Sequence, residues 1–230
     1  MIDLEKIYIT SDLHFFHANI IKYCPNTRGR WLSKTNEKPD ILSMNEYILR
    51  QFDELPNNSI IINNGDLNLN SKVKFDDIKL LVDRMKSNNK HLWIIMGNHD
   101  RGIKKYLKID KSSTDIFFDL GFERVYEFPI LLDKYILSHE PVYLNPNSNF
   151  KNIYGHTHDC NIDKDYFNRD CKNWAMMERV KKENITKQTN LDINTSIKYN
   201  DRNIDINMYY NVCWDAHGKI LKLEDVLKEF

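Results

Sequence analysis

Short apolar, β-branched runs punctuate this chain at Ile7–Thr10 and at residues 59–63, 91–96, 135–137 and 152–154. Runs of that length and composition predict buried strands. Between the first three, Ile41, Met44, Ile48, Phe52 and Leu55 recur at helical spacing, as do Val73, Ile78, Leu81, Val82 and Met85, with Asp40 placed to cap the first series. Residues 18–23 suit a short helix, and residues 25–39 read as a loop carrying Arg28, Arg30 and Trp31. Beyond Phe117 the texture shortens. Residues 124–128, 130–132 and 135–138 predict antiparallel hairpins in a second sheet, residues 208–214 a further strand, and residues 223–230 a helix with Leu223, Val226, Leu227 and Phe230 facing inward. The expected fold class is α/β, a four-layer α/β/β/α sandwich with two mixed β-sheets.

Each of the five runs ends in a polar block: Asp12-Leu13-His14, Gly65-Asp66, Gly97-Asn98-His99-Asp100, Ser138-His139 and Gly155-His156-Thr157-His158. Ligands in open α/β sheets gather at the carboxyl ends of strands, so this pattern puts seven metal-binding side chains at one sheet edge. No block is decisive alone. An Asp or His at a strand end commonly caps or satisfies backbone, and Gly-Asp makes an ordinary turn. Gly-Asn-His-Asp is harder to explain that way, because His has no turn preference. In an extended segment His156 and His158 would project to the same side, within reach of adjacent metals. All five blocks in one order, each after a strand, make coincidence a poor explanation.

Composition narrows the alternatives. At 230 residues, 41% hydrophobic and 12% aromatic, residues 1–230 suit a single domain with a substantial core. Lysine plus arginine and aspartate plus glutamate both number 33, so no global field draws the chain to nucleic acid or anionic membrane. No secretory leader and no long apolar run is visible, and a soluble, cytoplasmic protein is expected. Cys24, Cys160, Cys171 and Cys213 show no C-x-x-C spacing, which speaks against a disulfide framework or a thiolate zinc site. Residues 159–207 are polar and Asn-rich, with Trp174, Met177 and Val180 on one possible helical face, and read as an insertion. Beginning directly after His158, this segment is either a lid or specificity element or a plain surface excursion or oligomer contact.

In order, the five blocks match D-x-H, G-D, G-N-H-[DE], H and G-H-x-H, and the chain from Ile7 to His158 thereby resembles the calcineurin-like metallophosphoesterase superfamily. The stretch Thr10-Ser11-Asp12-Leu13-His14-Phe15-Phe16-His17-Ala18-Asn19, together with Asn211-Val212-Cys213-Trp214-Asp215, resembles a small bacterial and phage branch of it. The resemblance implies two divalent metal ions at the strand C-terminal edge. Asp12, His14 and His158 would hold one, Asn98, His139 and His156 the other, with Asp66 bridging and His99 as the catalytic histidine. His139 is assigned by its place between the Asn98 and His156 blocks, since Ser138-His139-Glu140-Pro141 is not distinctive. Many family members carry another acid or amide a few positions after G-D; this chain reads Gly65-Asp66-Leu67-Asn68-Leu69-Asn70, and a contact from Asn68 or Asn70 is left open.

The donor chemistry supports these roles independently. Imidazole, carboxylate and amide without thiolate suit Mn²⁺, Fe, Zn²⁺, Ni²⁺ or Co²⁺ over a dedicated Ca²⁺ site, with Mn²⁺ the first choice. Two such ions and two carboxylates leave a net charge of about +2, which attracts phosphate. A binuclear metal-activated water could then hydrolyse a phosphomonoester or phosphodiester without a covalent enzyme intermediate. His99 is the expected general acid, and Asp100 either supports its imidazolium or caps the following turn. Weaker substrate-binding candidates are His17, Arg28 and Arg30, the arginines because a guanidinium fork matches phosphate. Phe15, Phe16 and Tyr143 either stack a base or close the core, while His91 and His217 look structural.

The preferred function is a phosphoesterase acting on a phosphorylated small molecule, with nucleotides and cyclic nucleotides included. A nuclease is the alternative enzyme, disfavoured by the balanced charge and the lack of a basic, aromatic-rich groove. A non-catalytic, metal-stabilised interaction module is the alternative outside enzymes. No membrane partner is expected, and the oligomeric state is open.

Overall fold

The computed structural model describes residues 4–35, 38–68, 73–163, 166–167 and 204–230. Trp174, Met177, Val180 and most of the 159–207 segment, with the expectation of a lid there, lie outside these residues, as does Asn70.

Strands β1 (Ile7–Thr10), β2 (Ile60–Asn63), β3 (His91–Ile95) and β4 (Arg124–Tyr126) run parallel, and β9 (Leu221–Lys222) pairs antiparallel with β1. The sheet order is β4-β3-β2-β1-β9. A second sheet, ordered β5-β6-β7-β8, comprises β5 (Ile130–Leu132), β6 (Tyr135–Ser138), β7 (Lys151–Tyr154) and β8 (Tyr209–Asn211). Here β5 is antiparallel to β6, while β6, β7 and β8 are parallel. Both sheets are therefore mixed and helices flank them, which is the α/β class expected.

Strand alternation assigns the faces. Ile61, Leu92 and Ile94 point into a core shared with helices Ile41–Glu54, Phe75–Met85 and Ser113–Leu120. Ile7, Ile9, Ile62 and Ile95 point the other way, against Leu137 and Ile153 of the second sheet and Val212 just after it, with Leu223 and Val226 in the same cluster. The outer face of the second sheet is filled by Leu144, Tyr154, Ile162, Phe167, Met208 and Tyr209. Helix Ile41–Glu54 forms because Asp40 accepts the Ser43 N–H at 3.0 Å and its fully buried Met44, Ile48 and Phe52 recur every four residues. Burying each such side chain stabilises the fold by about 1.5–3 kcal/mol.

Three expectations need correction. Residues 25–39 are not all loop: Pro25–Arg28 is a helical turn with proline at its start, followed by the 3₁₀ turn Gly29–Trp31. The 124–126 run joins the first sheet in parallel rather than a hairpin of the second, because helix Ser113–Leu120 ends on left-handed Gly121 and carries the chain back across as a further crossover. The antiparallel pairing expected there is confined to β5 and β6. The 208–214 strand shortens to Tyr209–Asn211, since Cys213 bridges to Ser11 and the Trp214 N–H is taken by the Ser11 carbonyl. The C-terminal helix is Leu223–Lys228, with Leu223 and Val226 buried and Leu227 and Phe230 partly so.

Candidate metal centre

Parallel pairing in register brings Thr10, Asn63 and Ile94 side by side, so the segments after β1, β2 and β3 leave the sheet together. The Asp12–His14 segment then runs along the Gly65–Leu67 segment, with Asp12 N–H donating to the Gly65 carbonyl at 2.9 Å and His14 N–H to the Asp66 carbonyl at 3.1 Å. From the other sheet, Gly155 packs against Ser11 and Asp12 so closely that a Cβ there would overlap Ser11 Oγ. Gly97 approaches Asp66 in the same way.

Five of the seven candidate ligands, Asp12, His14, Asp66, His156 and His158, have left-handed backbones with φ between 48° and 72°. For non-glycine residues that conformation costs on the order of 1–3 kcal/mol each and persists only where surrounding contacts impose it. His156 and His158 are consequently not extended, contrary to the expectation that alternation would carry them to one side. Each instead turns into a separate cluster.

The donor atoms of Asp12, His14 and His158 all lie within 4.8 Å of one another, and so do those of Asp66, His139 and His156. Asn98 Oδ1 sits 2.9 Å from His139 Nε2, beside the second group. Asp66 Oδ2 stands between the groups, 3.8 Å from His14 Nε2 and 3.5 Å from His139 Nε2. Asp12 Oδ1 and both ring nitrogens of His14 are buried without a hydrogen-bond partner. Buried polar atoms are rarely left so, and a cation facing Asp12 Oδ1 and a ring nitrogen would satisfy them. The other Asp12 oxygen, Oδ2, is engaged by Ser11 Oγ at 2.5 Å, the His156 N–H at 2.8 Å and Cys213 Sγ at 3.1 Å. His139 has Nδ1 at 2.8 Å from the Asn64 carbonyl, which leaves Nε2 facing the cluster. An oxygen and nitrogen set of this kind fits divalent ions.

Protonation without metal reflects the crowding. Burial opposes ionisation of Asp12, yet the neighbouring His14, His139 and His158 rings hold it well below the usual carboxylate range. Asp66 is pushed up to about 8 by burial, with His139 opposing and Asp12 and Asp100 reinforcing the rise. Burial drops His14 to about 4. Burial would also lower His158, but its hydrogen bond to Asp215 prevails and carries it to about 11.

His99 lies at the same edge, about one-third exposed, with Nε2 3.8 Å from Asp66 Oδ2 and its backbone N–H donating to Asp66 Oδ1 at 3.0 Å. Burial and repulsion from His139 lower its pKa, with Asp12 opposing. Asp100 does not support that ring. Its buried carboxylate accepts the backbone N–H groups of Asp66 at 2.6 Å, Leu67 at 3.1 Å and Gly97 at 2.9 Å, so it neither faces the open edge nor caps the turn that follows. His17 lies beside the first group, ring centroids 5.5 Å from His14, and burial lowers it to about 4.

Arg28 is no open phosphate clamp. It is fully buried, paired with Asp215 and donating to the Asp12 and Leu13 carbonyls. Arg30 is exposed but lies 4.2 Å over both the Trp31 and Tyr47 rings. Phe15 closes the core, Phe16 packs against it, and Tyr143 packs on Phe167. His91 pairs with Glu123, and His217 stacks on Tyr210 and contacts the Asn211 carbonyl, as structural residues do. Residues the sequence reading passed over are Asp215, Ser11, Asn64 and Cys213, which contact the candidate ligands from behind. Ser11 stands in the Thr10–Asn19 stretch and Cys213 and Asp215 in the Asn211–Asp215 block, both part of the resemblance, but nothing local ties either to a role behind the ligands.

The family model described as calcineurin-like phosphoesterase matches residues 5–211. A relative from Methanocaldococcus jannaschii, named only "Uncharacterized protein MJ1445", is 34% identical over 108 residues, covering 46% of this chain and 53% of that protein. The chain thus spans about half the length of this relative. Among the described residues no helix is long and apolar enough to cross a membrane.

Proposed function

This chain belongs to the calcineurin-like phosphoesterases, and from that premise we propose that it is a binuclear metallohydrolase that cleaves phosphomonoesters or phosphodiesters of small molecules, nucleotides among them. The observation that carries this reading is the pair of adjacent donor groups, Asp12/His14/His158 and Asp66/His139/His156, with Asp66 Oδ2 between them and Asp12 Oδ1 orphaned. Asp12, His14 and His158 would hold one ion, Asn98, His139 and His156 the other, and Asp66 both. Divalent ions there, Mn²⁺ first among them, would lower the pKa of water toward neutrality and offset charge on phosphoryl oxygens.

The remaining work falls to the chain. His99 presents its partly exposed ring at the edge of the site, where it can donate an N–H to a phosphoryl or leaving-group oxygen, and proton transfer draws on its protonated fraction. His17, with its ring 5.5 Å from that of His14, lies close enough to the first group to reach a bound phosphate. Asp100 positions the loop that carries Asn98 and His99 without touching substrate.

Chelator-stripped protein is to be assayed with an aryl phosphate and a bis-aryl phosphodiester, with and without added Mn²⁺. Mn²⁺-dependent release of phenol from either supports the reading. Metal uptake with both esters intact would instead mark a metal-stabilised interaction module, and a screen of mono-, di- and cyclic nucleotides narrows the substrate.

A further inference from the structure

We propose that Asp215 is a positioning residue for the metal centre, which orients the His158 ring and, through Arg28, holds the Asp12–His14 segment in ligating geometry. The inference rests on the metal-binding part of the proposed function but not on hydrolysis. Asp215 lies beyond residues 5–211, the span the family match covers.

The contacts form one continuous buried chain. Asp215 Oδ2 is 2.9 Å from His158 Nδ1 and accepts Arg28 Nη2 at 3.0 Å, while Oδ1 accepts Arg28 Nε at 2.6 Å and Thr27 Oγ1 at 2.9 Å. Arg28 continues to the Asp12 carbonyl through Nη2 at 2.7 Å and to the Leu13 carbonyl through Nη1 at 3.0 Å. Neither the Arg28 nor the Asp215 side chain is exposed. One carboxylate is thereby linked to the ring of His158, to the main chain of Asp12 and to the residue next to His14, reaching all three members of one donor group.

An imidazole presents one lone pair, and the hydrogen bond made by its other nitrogen decides which. With Nδ1 donating to Asp215, the lone pair lies on Nε2. The left-handed backbones of Asp12, His14 and His158 do not hold themselves, and Arg28 braces two of them. Cys24, His158 and Asp215 also bring donor atoms within 4.8 Å of one another, which suggests a separate ion site. Occupancy argues against that use. Each Asp215 oxygen already receives two donors, which fills the four or so lone-pair positions of a carboxylate. Asp215 is therefore assigned to orientation, not ligation.

The test measures Mn²⁺ affinity of the chain of residues 1–230 by calorimetry or by EPR of free Mn²⁺, with no substrate present. Asp215→Asn should weaken binding about 10- to 100-fold, the usual effect of losing an outer-shell partner. The same substitution in a His158→Ala background should cost clearly less, because the ring it orients is gone and only the bracing of the Asp12–His14 segment through Arg28 remains to be lost. Equal losses in both backgrounds, or none in either, would overturn the proposal. Should Asp215→Asn fail to fold, the wild-type protein loaded with Zn²⁺ decides the matter by ¹H–¹⁵N NMR of the histidine rings. A His158 protonated on Nδ1 is expected, and one protonated on Nε2 contradicts it. A wild type that binds no metal refutes both this inference and the metal centre, whereas one that binds metal but hydrolyses no ester refutes only the hydrolytic function.

Discussion

Asp100 Oδ2 accepts the backbone N–H of Asp66 at 2.6 Å and that of Gly97 at 2.9 Å, which ties the segment after β2 to the segment after β3. The carboxylate next to His99 thus works on the backbone that aims Asp66. Because Oδ1 also accepts the Leu67 N–H at 3.1 Å, Asp100→Asn would turn an NH₂ group toward a backbone donor whichever way the amide sits and leave a buried N–H unsatisfied, at a cost of about 1–3 kcal/mol. The denaturant midpoint should fall in metal-free and loaded protein alike, and lost activity should partly return at raised Mn²⁺. Unchanged stability with full activity would remove this role.

Gly97 and Gly155 admit no side chain. A Cβ at Gly97 would overlap Asp66 Oδ1, and one at Gly155 would overlap Ser11 Oγ and come within 2.8 Å of Asp12 Oδ2. Alanine at either should destabilise by about 1–3 kcal/mol through overpacking and also reduce metal stoichiometry. Gly29, whose nearest neighbour to such a Cβ is Pro25 at 3.9 Å, serves as the control and should tolerate alanine. Thermal melts and metal analysis of the three variants check the contrast.

Removing Asp66 and removing His99 should have different consequences. Asp66 faces both donor groups, so Asp66→Ala is expected to lose bound metal and activity together. His99 lies outside them, so His99→Ala should keep its metal and lower turnover by about 10²- to 10⁴-fold, the usual range for general acid–base groups. Elemental analysis beside single-turnover kinetics separates the two, and undiminished turnover in His99→Ala would rule out a catalytic role.

Metal uptake should release protons. Without metal, Asp66 is raised to about 8 and His158 to about 11, so both hold a proton at neutral pH that ligation must displace, whereas His14, lowered to about 4, is already neutral. At least two protons should leave per protein at pH 7, with a further contribution from His139, which burial lowers but Asp66 and Asp12 hold above the usual imidazole value, and apparent affinity should tighten as pH rises from about 6 to 9. For stability the sign follows from Asp66 as an acid whose folded pKa exceeds its ordinary 3.8. Folding then takes up a proton, so this group's contribution to the metal-free fold declines as pH rises from about 4 toward 8. Calorimetry in buffers of different ionisation enthalpy reads the proton count, and a heat independent of buffer would contradict it.

Legibility in the sequence followed the range of the interactions. Apolar runs and helical spacing located β1, β2, β3, β6 and β7 and the two long helices, because burial of alternate or every-fourth residues is written locally. The 124–126 run was misplaced, since a short apolar strand carries no mark of which sheet it joins. Arg28 was misread for a related reason: an arginine in a polar stretch looks solvated, and only the fold shows Asp215 beside it.

What the sequence determined by itself is the donor inventory and its order: two carboxylates, four imidazoles and an amide, each after a strand, a set whose chemistry suits divalent metal and phosphate. Tertiary structure decided how those donors are shared out. Left-handed turns at Asp12, His14, Asp66, His156 and His158 aim these side chains, putting Asp12 and His14 in one group and parting His156 from His158, and Asp215, Asn64 and Asp100 hold them from behind. Such turns are strained for these residue types, so no local preference encodes them. They exist because parallel strands, glycine contacts and buried hydrogen bonds from distant segments impose them together.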